Sequence, residues 1–450
     1  MEQLDASQHK LIQNISDLLI DGQIDASKEE LKKLHPAEIA HILESLPHDA
    51  RQDAWAIVEP SISGDVLTFV NDEVRSSLIE YTATDDLVAA TETLPTDELA
   101  DILPDLPETV ISKLLHSMDQ QDRHRLESIL KFPEDTAGGL MSTDTITIRP
   151  DVTLDVVLRY LRFSDTLPDT TDKLFVVNRE DKLLGALSLN KLVTKDLDLT
   201  VAEVFSTDIN YINAETESHE VAHLFEKRDL ISAPVVDADK KLLGRITIDD
   251  VVDIIRDEAD HSLMSLAGLD EEDDIFSPVV RSTRRRSIWL GINLLTALLA
   301  SWVISQFSAT IEQLVALAVL MPIVASMGGI AGSQTLTLVI RGLAVGQVGK
   351  SNALRLLNKE ILIGALNGAL WAAVIGTLAF VWFDNIELGI IIGMAIFFNL
   401  VVASIAGATI PLILQKYGAD PALGGGVVLT TITDVVGFFA FLGLAAVFLL

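Results

Sequence analysis

No cysteine occurs in the 450 residues, which excludes disulfides and thiolate metal sites and leaves the softer zinc and iron–sulfur chemistries without their usual ligands. Basic residues are scarce: 33 Lys and Arg stand against 65 Asp and Glu, a formal net charge of −32. So acidic a chain repels nucleic acid and attracts cations, and hard, oxygen-liking cations are the partner class that remains. Met1 to Ile20 lacks a basic segment followed by an apolar core, so no secretory leader is expected there and the N-terminal region is expected to stay in the cytosol. The 9 histidines show no spacing suited to a Ser/His pair or a metallo-site, and no enzymatic activity is expected.

An apolar content of 49% coexists with 22% charged residues, and the two are segregated. From Arg281 onward there are 9 Lys and Arg and 6 Asp and Glu; before it there are 24 and 59, a net charge of −35 on the first 280 residues. The acidic part reads as soluble. The remainder holds five stretches long enough for a hydrocarbon core of roughly 30 Å, near Ile288 to Phe307, Leu314 to Ala344, Ile361 to Phe383, Leu388 to Leu414 and Pro421 to Leu450. Arg281, Arg284, Arg285 and Arg286 precede the first, Arg341, Lys350, Arg355 and Lys359 surround the second connection, and Lys416 lies in the fourth. The other two loops carry no Lys or Arg, so the N-terminus is expected inside and the C-terminus outside.

Two features stand out within the spans. The second contains Met321-Pro322-Ile323-Val324-Ala325-Ser326-Met327-Gly328-Gly329-Ile330-Ala331-Gly332-Ser333-Gln334, whose Pro and Gly density predicts a broken or kinked helix. Either freed carbonyls line a wet path there, or small residues permit tight helix packing. The fifth contains Asp434, roughly 21 Å deeper than Asp420 at about 1.5 Å per residue. A carboxylate at that depth marks an ion path, or else it is protonated and packed. One helical turn back lie Thr430 and Thr431, and two turns back Gly426 and Val427, a small and partly polar face.

The acidic part carries two internal repeats. Leu34 to Pro47 matches Leu94 to Pro107 at a shift of 60, with apolar residues at helical spacing, which predicts stacked short helices over residues 1–135. Val176 to Val193 matches Val235 to Val252 at a shift of 59, and each copy reads as strand, charged turn, strand and helix.

The second repeat, with Leu-Leu-Gly-Arg-Ile-Thr-Ile-Asp-Asp at 242–250, resembles a tandem pair of cystathionine-β-synthase (CBS) domains, a regulatory module. In that family a Thr-x-x-Asp such as Thr247 and Asp250 often holds an adenine nucleotide's ribose; the first copy has Ser188 and Lys191 instead, so the resemblance implies at most one ATP site. The whole order, with Pro133-Glu134-Asp135-Thr136-Ala137-Gly138-Gly139-Leu140-Met141, Met327 to Gln334, and Asp420-Pro421-Ala422 followed by Asp434, resembles the MgtE magnesium transporter family.

That resemblance implies a multidomain fold: an all-α superhelical N domain over 1–135, α/β CBS domains over 136–200 and 201–260, a connecting helix over 261–286, and an all-α five-helix transmembrane domain over 287–450. It implies a homodimer in a bacterial-type inner membrane, Mg²⁺ influx past Asp434, and a pore lined by Pro322, Gly328, Gly329, Gly332, Gln334, Gly426 and Thr430. Regulatory Mg²⁺ is implied at Asp97, Asp101, Glu217, Asp229, Asp250, Asp253, Glu258 and Asp420. Ile330, Ser333, Gly426, His219 and His261 depart from the family's pattern. Co²⁺ and Mn²⁺ take the same oxygen ligands as Mg²⁺, and a membrane-anchored CBS nucleotide sensor is the reading from a different class.

Overall fold

The computed structural model describes residues 13, 15, 18–20 and 23–449 apart from 93, 164–166, 169, 270–273 and 350. Most of the N-terminal stretch read above for a leader, and Lys350, lie outside the described residues. The chain divides into two compact units, one of residues 1–259 with 272–278 and one of 260–271 with 279–450.

The first unit begins with short helices, among them Pro36–Glu44 and Thr96–Ile102, the latter followed by a 3-10 turn over Leu103–Asp105. The shift of 60 reappears as burial: Ile39, Ala40, Ile42 and Leu43 are buried in one copy, and Leu99, Ala100, Ile102 and Leu103 in the other. Pro36 sits in the first turn of its helix, where a missing N–H costs nothing, and His35 and Glu38 close a reciprocal cap.

Two three-stranded sheets follow. In the first, β1 (Thr147–Ile148) pairs parallel with β2 (Lys173–Val177), which pairs antiparallel with β3 (Leu183–Ser188). In the second, β4 (Ile212–Asn213), β5 (Ser232–Val236) and β6 (Leu242–Thr247) repeat that order. The copies agree in backbone detail. The register slips at Val176/Val177 and at Val235/Val236. Asp181 and Lys240, one repeat apart, both take positive φ at the hairpin turn, as do Thr170 and Asp229 upstream. In each turn one side-chain oxygen, of Asn178 or of Asp237, accepts two backbone N–H groups.

The segment Pro133 to Met141 ties the helices to the second sheet. Ala137 and Gly138 donate backbone bonds to Thr216 and Ala214 at 2.7 and 2.8 Å. A β-carbon at Gly138 would lie 2.3 Å from the Phe132 ring, so the paired glycines answer to close approach. One continuous apolar core runs from the N-terminal helices into the second sheet, through Leu99, Met141, Ile246 and Val251.

Among the described residues the second unit has five helices long and apolar enough to cross a membrane: Val279–Ser305, Ala316–Ala344, Ala353–Phe383, Ile386–Lys416 and Pro421–Phe448. The first takes in residues 279–286, assigned above to the connecting segment. The fourth is the most buried and packs against the second, third and fifth. The second is helical throughout, with Pro322 inside it, rather than broken. Its Gly332 is a packing notch: a β-carbon there would lie 2.8 Å from Leu429, and one at Gly407 of the fourth span would lie 2.6 Å from the Gly332 carbonyl. Where lipid offers no hydrogen bonds, keeping the backbone helical is the less costly course.

Candidate functional site

The adjacent residues Gly328 and Gly329 divide the second span into two faces. Gly328 and Gly332 are buried against Asn399 and Leu429, whereas nothing lies within 4 Å of a β-carbon at Gly329. On the Gly329 side is an open groove of about 840 Å³. The second span contributes Ser326, Ser333, Gln334, Thr337 and Arg341 to its wall, and the fifth contributes Thr430 and Asp434.

Of the pore residues expected from resemblance, Gly329, Gln334 and Thr430 therefore share a groove with Asp434, and Gly328 and Gly332 lie on the packed face. Pro322 is exposed but outside the groove lining. Gly426 has open space at its β-carbon, and its carbonyl accepts the Thr430 hydroxyl at 2.9 Å. Asp434 has no hydrogen-bond or ion-pair partner among the described residues and is only partly exposed.

Asp420 caps the fifth span. Its carboxylate accepts from the backbone N–H of Ala422 at 2.8 Å and Leu423 at 3.0 Å, with Pro421 in the first turn. His261 Nε2 lies 3.4 Å from Asp420 Oδ2, so the histidine at a departing position touches the acid that caps the fifth span.

In the first unit, Asp97, Glu98 and Asp101 lie on helix Thr96–Ile102, and Asp250 lies at the start of Ile248–Leu266. These acids feel one another. Burial, then the charge of Asp97 and other acids including Asp250, pushes Glu98 up to about 7. Asp101 reaches solvent, yet the surrounding protein and the charges of Asp97, Asp250 and Glu134 push it up to about 7, with Arg75 opposing. Burial, opposed by hydrogen bonds from Thr247, pushes Asp250 up to about 6. Asp97 is raised as well, by burial first, and its Oδ1 is a buried acceptor with no hydrogen-bond partner among the described residues.

That orphaned oxygen among raised acids fits a cation. Among the described residues, however, no three His, Asp or Glu side chains converge on one point at ligand distances. An ion that keeps most of its own water suits such an arrangement better than one needing a closed protein cage.

The other expected regulatory acids do not join this cluster. Glu217 is exposed at the start of helix Ser218–Arg228 beside His219, and Asp229 is exposed in the left-handed cap at its end. Asp253 is exposed one turn beyond Asp250, with Glu258 further along the same helix. Thr247 donates both its backbone N–H and its hydroxyl to Asp250 Oδ2 at 3.0 Å, so the two residues of the Thr-x-x-Asp pair are bonded to each other.

Sequence reasoning missed Glu98, the polar stripe Ser326, Ser333, Thr337 and Arg341, and the buried Asn399. The stripe's spacings of seven, four and four follow one helical face and could have been read from periodicity.

Comparison with known proteins follows the same plan. The MgtE intracellular N domain model matches residues 34–135, the CBS domain model matches 137–198 and 201–257, and a model described as a divalent cation transporter matches 321–444. The magnesium transporter MgtE of Enterococcus faecalis is 30% identical over 73% of this chain and 72% of its own. The chain belongs to the MgtE magnesium transporter family. The MgtE of Thermus thermophilus is 29% identical over 98% of this chain and 99% of its own. The crystal structure of the cytosolic domain of the Mg²⁺ channel MgtE in complex with ATP is similar at 28% identity, covering 54% of this chain and 99% of that one, with a TM-score of 0.49. As an MgtE protein with five candidate spans, the chain is a multi-pass membrane protein.

Proposed function

We propose that this MgtE chain carries Mg²⁺ into the cell through the Asp434 groove, and that the acids around Asp97 sense cytosolic Mg²⁺ and close the path. The observation that carries the reading is Asp434 itself, a carboxylate within an apolar span that faces a groove and has no partner among the described residues. Such a group is costly in a membrane unless it faces water and a cation. Mg²⁺ is held through its waters by one or two carboxylates. A groove walled by two spans is half of a channel, and a second copy facing it across a dimer axis supplies the other wall and a second Asp434. Co²⁺ and Mn²⁺ have the same ligand preference and are the competitors to measure against.

The sensing role follows from charge. Without a cation, Asp97, Glu98, Asp101 and Asp250 repel, and with one bound the helix and the second CBS copy are drawn together. Asp420, Asp253 and Glu258, with Glu217 and Asp229, remain proposed contributors. A site matched to millimolar Mg²⁺ needs only about −4 kcal/mol. ATP is proposed as a second regulator at Thr247 and Asp250, where it has to share or displace the bonds between them.

The test is growth of a magnesium-uptake-deficient bacterium at limiting Mg²⁺. Wild type is expected to rescue it, and Asp434→Ala at equal membrane level is expected not to. A well-inserted wild type that fails to rescue sinks the import reading.

A further inference from the structure

Asn399 interrupts the apolar run Ile396-Phe397-Phe398-Asn399-Leu400 in the middle of the fourth span. It is 1% exposed. An amide at that depth is costly unless its polar atoms are met. Only one is: Nδ2 donates to the Val324 carbonyl of the second span at 2.9 Å, and Oδ1 is buried with no hydrogen-bond partner among the described residues.

The amide lies in two glycine notches. A β-carbon at Gly328 of the second span would come within 2.3 Å of Nδ2, and one at Gly437 of the fifth within 2.7 Å. Both notches lie directly behind the groove. Gly328 is next to Gly329, which lines it, and Gly437 is three residues beyond Asp434. One side chain of the fourth span thus wedges between the two helices that form the groove, at the level of the acid. A leucine has the same branched outline without the unmet oxygen, so packing alone gives no reason for an amide.

We propose that Asn399 is a positioning residue for ion discrimination. Keyed into Gly328 and Gly437 and bonded to Val324, it sets the separation between Asp434 and the second-span wall, and so the size of hydrated cation accepted. The proposal rests on the reading that Mg²⁺ passes Asp434.

The experiment is initial uptake of Mg²⁺ and, separately, of Ca²⁺, whose hydration shell is looser and of different geometry, into liposomes holding the full-length protein, with thermal stability measured on the same samples. Asn399→Leu is expected to lower the Mg²⁺ to Ca²⁺ ratio by about threefold to tenfold, the range spanned by one net hydrogen bond, with stability little changed. Gly328→Ala, which drives a methyl into the amide, is expected to lose uptake, and Gly328→Ala with Asn399→Ala to regain it with an altered ratio. An unchanged ratio in Asn399→Leu overturns the proposal. Should Asn399→Leu fail to insert, an unchanged ratio in the double variant overturns it equally. No Mg²⁺ uptake by wild type overturns the transport reading itself.

Discussion

Arg51 and Asp274 form an ion pair of 2.8 Å with both side chains almost fully enclosed, at 2% and 4% exposure. The guanidinium also donates to the carbonyls of Leu43 at 2.8 Å and Leu46 at 3.1 Å. The Asp274 backbone N–H donates to Glu73 Oε2 at 3.2 Å. A short segment far along the chain is thereby held on the N-terminal helices. Removing one partner strands a buried charge, so Asp274→Ala is expected to destabilise the first unit by about 3–5 kcal/mol. Arg51→Met with Asp274→Leu should cost less than the single change. Thermal unfolding of the full-length protein checks this, and a single variant as stable as wild type contradicts it.

The raised acids make stability depend on pH with a definite sign. Glu98 and Asp101 at about 7 and Asp250 at about 6 lie above their unfolded values, so between about pH 4 and 7 the folded state holds the extra protons. Without Mg²⁺, resistance of the first unit to proteolysis should therefore fall as pH rises through that window. Protons and Mg²⁺ relieve the same repulsion, so added Mg²⁺ should protect little below about pH 6 and most above about pH 7. Protection by Mg²⁺ that does not vary with pH goes against the cluster as the sensor.

Asp97→Asn keeps the shape and removes a charge that, after burial, raises both Glu98 and Asp101. Its Mg²⁺-free form should resist proteolysis better than wild type, and the Mg²⁺ concentration for half-maximal protection should rise several-fold. Glu217→Gln, an exposed site away from the cluster, is the comparison. Equal responses from the two variants contradict the assignment.

The buried Glu360 of the third span accepts from the Thr335 hydroxyl of the second at 3.2 Å, with Lys359 Nζ at 3.7 Å from its other oxygen. Thr335→Val removes a hydrogen bond from a buried carboxylate, and a loss of about 1–3 kcal/mol in stability of the membrane unit is expected. Thr335→Ser should recover most of it. Thermal unfolding in detergent separates the two.

Much of this architecture was legible because it repeats or because the membrane demands it. The shift of 59 survives down to the positive φ of Asp181 and Lys240, since a turn's geometry is written in its own residues. The five spans follow from length and composition, and Asp434 from the cost of a charge among them. Gly328 and Gly329 mark the limit of such reading. They are identical and adjacent, yet one is packed and the other faces the groove, because the rotation of a helix against its neighbours is set by those neighbours. Asp97, Asp101 and Asp250 gather while Glu217 and Asp229 stay apart for the same reason: tertiary folding, which local spacing does not encode, decides which acids meet. Of the break or kink expected at Pro322, the break does not occur, because unpaired backbone is costly in a membrane.

The most direct test of the account is Mg²⁺ flux into liposomes containing wild type or Asp434→Asn, which differ by one charge and almost no volume. The account predicts saturable Mg²⁺ entry in wild type and a loss of at least about tenfold in Asp434→Asn, equivalent to about 1.4 kcal/mol. Equal flux in the two would show that the ion does not depend on that carboxylate, and would contradict the path described.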